Sequence, residues 1–130
     1  MTSVLLDTDV LVDCLRGTVT AQTWINQTAA QSFQVPGVAA MELIMGCRNQ
    51  MDLQRTQKFL STFDVASPTA DEFEQAYKLL THYRLTSGLS IPDCLIGAMA
   101  LARSATLYTF NLKHFRMISG LNVAAPYSRS

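Results

Sequence analysis

The chain is poor in charge. Only 15% of its residues are Asp, Glu, Lys or Arg, against 48% hydrophobic. That balance excludes a disordered or strongly solvated chain. Ten Lys and Arg offset ten Asp and Glu. With no net charge there is no global pull on nucleic acid, so such binding must come from local patches or from metal ions. Balanced charge and a large apolar fraction also favour self-association. Long apolar runs are missing too: none approaches the roughly 18 residues of a membrane span. No basic region precedes an apolar stretch at the N-terminus, so no secretory signal is expected. Cysteine is sparse. Cys14, Cys47 and Cys94 are odd in number, scattered and without zinc-type spacing. They read as buried free thiols in a reducing cytoplasm. His82 and His114 form no ligand-like pair. His82 suits a helix surface, and His114, beside Phe115, a packed or capping position. Repeats, linkers and low-complexity segments are absent, and a length of 130 residues predicts one domain over 1–130.

What the chain does contain begins with "VLLDTDVLVDCLRG", Val4 to Gly17. A short apolar run suits a strand buried on both faces of a parallel sheet. It runs straight into Asp7 and Asp9. By strand periodicity these two point the same way and repel each other unless a cation lies between them. Asp7 also suits a turn at a strand end, and Asp9 suits the N-cap of the helical run Val10, Leu11, Cys14, Leu15 that Gly17 stops.

The remaining elements follow in alternation. A helix is expected over Thr20 to Ala30, with Trp24 and Ile25 on its apolar side. A strand follows over Ser32 to Val35, then a helix over Val38 to Arg48 that buries Ala40, Leu43, Ile44 and Cys47. The next helix, Asp52 to Phe63, has Asp52 as its cap and Leu53, Phe59, Leu60 and Phe63 on its inner side. Val65 marks a very short strand. Thr69 and Glu72 form a capping box, opening a helix with Phe73, Ala76, Tyr77 and Leu80 at helical spacing. Ser90 and Asp93 fit a second box and a helix through about Arg103. Strands are expected at Thr106 to Tyr108 and Leu121 to Val123. Strands alternating with helices give an α/β fold with a mostly parallel central sheet of about five short strands. In such sheets ligands bind beyond the carboxyl ends of the strands, where Asp7 and Thr109 fall.

Two further acids join them. Glu42 is the only acid between Asp13 and Asp52, and its neighbours Met41 and Leu43 are apolar, so it is expected to face a partner and not open water. Asp93 fits the third position of its helix, yet a first-turn acid is fixed and can still aim an oxygen into a crevice. Clustered carboxylates cost several kcal/mol unless cations neutralise them. Oxygen donors select hard ions such as magnesium or manganese, which activate water and hold a phosphodiester.

These residues resemble the PIN-domain ribonucleases, in particular the VapC-type toxins of bacterial toxin–antitoxin pairs. "VLLDTDVLVDCLRG", "VAAMELIMGCRN" with Glu42, "GLSIPDCLIGAMA" with Asp93 and "LYTFNLKHFRMISGL" carry the likeness in the family's order across nearly the whole chain. The resemblance implies a three-layer PIN-like fold and a cytoplasmic, metal-dependent endoribonuclease. Asp7, Glu42 and Asp93 would be its catalytic triad and bind one or two Mg²⁺ or Mn²⁺. Thr109 would be the hydroxyl near the cluster. Asn111 stands where the family often has a fourth acid; an amide adds no charge, which implies a weak second site. Asp9 adds an acid where many relatives carry Asn or Ser. Glu42 or Asp93 would orient or deprotonate the attacking water. RNA would be the substrate, folded or looped single strands above all, gripped by Lys113 and Arg116. The implied partners are a cognate antitoxin laid on an apolar groove near Trp24, Phe59 and Phe63, and a second copy in a homodimer.

Two other classes compete. Asp7-Thr8-Asp9 after an apolar strand also resembles the first motif of haloacid-dehalogenase-type phosphatases, with Asp7 as nucleophile and Asp9 as acid/base. That site needs a late pair of acids, and no acid follows Asp93. The other is a non-catalytic module that binds metal or RNA only.

Overall fold

Val4, Leu5 and Leu6 are wholly buried, and their strand, β1 (Ser3–Leu6), lies at the centre of the sheet. The computed structural model describes residues 3–28 and 32–129. The other strands are β2 (Ser32–Pro36), β3 (Asp64–Ala66), β4 (Thr106–Tyr108) and β5 (Asn122–Ala124). Their order is β3-β2-β1-β4-β5, and every pairing is parallel. A central strand covered by helices on both faces needs apolar side chains throughout, which is why β1 shows no alternation. Each such side chain contributes roughly 1.5–3 kcal/mol on burial.

Helices fill the crossovers, as parallel connections require. Helices α1 (Thr8–Arg16) and α2 (Val19–Gln27) join β1 to β2; α3 (Gly37–Met45) and α4 (Gln50–Leu60) join β2 to β3. Helices α5 (Ala70–Tyr83) and α6 (Ile91–Ala102) join β3 to β4, and the short α7 (Leu112–Phe115) lies before β5. The expected α/β architecture with a parallel sheet of five strands is what forms. After β3 the chain crosses to the far side of β1, so the strand order reverses at β1 and β4. That reversal opens a crevice beyond their carboxyl ends.

Local signals set most element ends. Gly17 adopts φ 74° and closes α1, with its N–H donating to the Cys14 carbonyl. Both expected capping boxes form, Thr69 with Glu72 and Ser90 with Asp93. Several expectations move. Asn49, not Asp52, caps α4. Helix α3 ends at Met45 and not at Arg48. The end expected for α2 at Ala30 lies outside the described residues. On α5 Ala76 is buried as expected, but Phe73 and Tyr77 are exposed, and Glu72 and Leu79 are buried in their place. Cys14 and Cys94 are buried free thiols, but Cys47 is only half-buried. Among the described residues no helix is long and apolar enough to cross a membrane.

Candidate active site

Asp7 is the first residue beyond β1 and the N-cap of α1. It is 7% exposed. Both carboxylate oxygens are held: Oδ1 accepts the Thr8 N–H at 2.8 Å, and Oδ2 accepts the Thr109 hydroxyl at 2.7 Å. Thr109 is wholly buried just past β4. The adjacent β1–β4 pairing sets Leu6 against Tyr108 and so brings Asp7 and Thr109 side by side across 102 residues of chain.

Asp9 meets the same hydroxyl by a different route from the one its spacing suggested. Helix α1 already starts at Thr8, so strand alternation does not govern it. Nor is Asp9 the N-cap, since Asp7 takes that role. Asp9 lies in the first helical turn. Its Oδ2 accepts the Phe110 N–H at 3.1 Å and lies 3.5 Å from Thr109 Oγ1. Its Oδ1 is buried without a partner among the described residues.

Asp7 bears the charge of its acidic neighbours. Burial, and then the charge of Asp9, push the Asp7 carboxyl up to about 6; Asp93 adds to the rise, while the Thr109 hydroxyl and Thr8 N–H oppose it. Burial raises Asp9 as well, against the Phe110 N–H. Asp93 is therefore close enough to be felt by Asp7. It sits in the first turn of α6, where its Oδ2 accepts the Ser90 N–H at 3.1 Å. Glu42, exposed on α3, reaches the cluster through Thr8, whose hydroxyl donates to Glu42 Oε1 at 2.9 Å.

Thr8 is a member of the site that sequence reasoning passed over. Its only signal was its place between two acids. The other expected residues are spread around the rim. Asn111 donates its N–H to Thr109 Oγ1 at 2.9 Å and turns its amide to His114 Nδ1 at 3.0 Å. Lys113 on α7 and Arg116 at its end are exposed, and neither enters an ion pair among the described residues. Trp24, expected to line a groove with Phe59 and Phe63, is a core residue instead. Trp24 is 9% exposed and packs on Phe33, Tyr108 and Tyr127. Phe59 and Phe63 are half-buried against each other. A cleft does open beside Glu42, between α1, α3 and α4, lined by Val12, Leu15, Leu43 and Cys47 with Arg16 and Arg55 at its edge.

The donor chemistry suits a hard cation: carboxylates and hydroxyls, with no nitrogen or sulfur among them. A buried, orphaned Asp9 oxygen and an elevated Asp7 are the marks of negative charge waiting for a counter-charge. The cage is not closed, however. Among the described residues no three His, Cys, Asp or Glu side chains stand so that they could hold an ion as placed.

A family model for the PIN domain matches residues 4–120. The chain belongs to the PIN-domain family. Within it, ribonuclease VapC10 of Mycobacterium tuberculosis is 30% identical over 91% of this chain and 90% of its own. The fold matches VapBC2 of Rickettsia felis, solved with a promoter DNA fragment, at TM-score 0.84 and 21% identity, covering 95% of this chain and 98% of that one. A toxin–antitoxin complex from Klebsiella pneumoniae matches at TM-score 0.76 and 30% identity, covering 97% of this chain and 99% of that one. The likeness to VapC-type PIN domains read from the sequence therefore holds. Membership of the PIN family overturns the phosphatase alternative. The crevice at β1 and β4 is then the place to look for this PIN domain's chemistry.

Proposed function

We propose that this PIN domain is an endoribonuclease toxin that hydrolyses RNA phosphodiester bonds and is silenced by a cognate antitoxin. The same reading has Asp7, Glu42 and Asp93 as its catalytic acids and the ligands of a divalent cation, Mg²⁺ or Mn²⁺. The observation that carries it is Asp7, raised first by its burial and then by the charges of Asp9 and Asp93, and linked through Thr8 to Glu42. The ribonuclease relative and the toxin–antitoxin complexes of the same fold support the activity and the partner.

When bound, the cation polarises the scissile phosphate and makes water a stronger nucleophile at neutral pH. The chain's own residues do the placing. Thr109 and Thr8 hold the Asp7 carboxylate in one orientation. The helix cap fixes one Asp93 oxygen on Ser90, and Thr8 fixes one Glu42 oxygen. The second oxygen of each is left for ligand or water. Lys113 and Arg116 grip the RNA backbone as local charge on a neutral molecule. An antitoxin that presents a cationic and apolar segment to the cleft beside Glu42 would cover the acids. A homodimer belongs to the same reading, and sedimentation velocity tests it: a species of twice the chain mass is expected.

The deciding assay is cleavage of structured RNA by the purified chain with Mg²⁺ or Mn²⁺, with chelator, and with Asp7→Asn or Asp93→Asn. Cleavage should require the cation and vanish in both variants. Activity that survives both substitutions would remove the nuclease reading. Cation binding without any cleavage would favour the non-catalytic module.

A further inference from the structure

The segment 125–129 lies against α1, where Tyr127 and Arg129 both meet Asp13 and Arg129 comes near the Asp9 carbonyl at the edge of the acidic crevice. Arg129 makes three contacts there. Its guanidinium forks onto Asp13, Nη2 to Oδ1 at 2.8 Å and Nε to Oδ2 at 3.3 Å. Nη2 lies 3.5 Å from the Asp9 carbonyl oxygen. The guanidinium carbon sits 4.0 Å above the centre of the Phe110 ring. Tyr127 backs the arrangement. Its hydroxyl donates to Asp13 Oδ2 at 2.9 Å, and its ring meets Phe110 edge-on at 5.2 Å.

Phe110 is the residue that matters. Its ring is held by Arg129 and Tyr127, while its N–H is the donor to Asp9 Oδ2. It directly follows Thr109, whose hydroxyl holds Asp7. Two contacts and one peptide bond thus separate Arg129 from the Asp7 carboxylate. As a source of stability the ion pair is minor, because the Arg129 side chain is 47% exposed and exposed pairs are worth little. As a locating device it is well made. A planar fork fixes the guanidinium on α1, and the stacked face fixes the loop that follows β4.

We infer that Arg129 is a positioning residue of the acidic crevice: bridging Asp13 and the Phe110 ring, it keeps the Thr109–Phe110 loop against Asp9 and so aligns Asp7. This inference rests on the nuclease reading for its effect on catalysis, though not for its structural part. A displacement of the loop by about 1 Å is enough to cost a large factor in rate.

Two readouts on the full chain test it: amide hydrogen exchange at Phe110, and kcat with KM for RNA cleavage. Arg129→Gln and Asp13→Asn are each expected to speed exchange at the Phe110 amide about tenfold and to lower kcat about tenfold, with KM little changed. The double variant should be no worse than either single one, because the two groups act as a unit. Arg129→Lys should fail to restore either value, since an ammonium neither forks nor stacks in this way. Unchanged exchange at Phe110 in Arg129→Gln, or a rise spread evenly over the β1 and α6 amides, would overturn the inference. If the unmodified chain cleaves no RNA, the nuclease reading fails, and the Phe110 exchange still decides the positioning role.

Discussion

Asp7 concentrates the cost of the site in one side chain. Its carboxyl titrates near 3.8 when unfolded and near 6 in the fold, raised by burial and then by Asp9. The folded protein therefore holds this proton more tightly. Stability from this group rises as pH falls from above 6 toward 4, and ionised Asp7 costs about 3 kcal/mol at pH 7.5. Asp7→Asn removes that charge and keeps an oxygen acceptor for Thr109. It is expected to unfold several degrees higher than the unmodified chain at pH 7.5, by roughly 2 kcal/mol. The gain should shrink toward nothing near pH 4, as thermal denaturation at the two pH values would reveal. The same variant should lose RNA cleavage. A lower melting temperature at both pH values would mean that the carboxylate is already compensated in the fold.

Elements carry a different kind of charge. Glu72 in the first turn of α5 is 3% exposed and pairs bidentately with Arg103 at the end of α6, at 2.8 and 2.9 Å. Arg103 also reaches Gln34 of β2 and the Ser67 carbonyl. Its hydrogen bonds are the main reason that the Glu72 carboxyl lies below the ordinary range. Arg103→Ala leaves a buried carboxylate unpaired and should destabilise the fold by about 3 kcal/mol. Adding Glu72→Gln should recover part of that loss, a result readable in urea titrations. This pair also marks the limit of what the sequence discloses. Both capping boxes were legible, because a cap is a contact over three residues. The buried face of α5 was not: the pattern of Phe73 and Tyr77 pointed inward, while a salt bridge across 31 residues turned Glu72 in and left both rings out. Helix α7 spans four residues, too few to show a period. At the proposed site, Asp7, Asp93 and Thr109 stood out because strand ends and first turns are where such sheets bind ligands, and Glu42 because it is a lone acid between apolar neighbours. Thr8 and Arg129 did not. A hydroxyl between two acids and a C-terminal Arg acquire meaning only when β1 and β4 pair and the segment 125–129 lies against α1.

The whole molecule has no net charge, so the hold on RNA proposed above has to rest on a few local cationic side chains and on the cation proposed for the crevice. Replacing Lys113 and Arg116 together by Ala should raise KM for RNA and flatten the dependence of log affinity on log salt by about 1.4, the value for two lost single-strand phosphate contacts. An unchanged salt slope would place the grip elsewhere. The account as a whole turns on whether acids from β1, α3 and α6 draw to a shared cation when one is present. Anomalous diffraction from a crystal soaked in Mn²⁺ measures that directly. The account predicts a peak within about 2.3 Å of an Asp7 oxygen and an Asp93 oxygen, with Glu42 contacting it directly or through water. No peak in the crevice, or one bound only by residues outside it, would contradict the account.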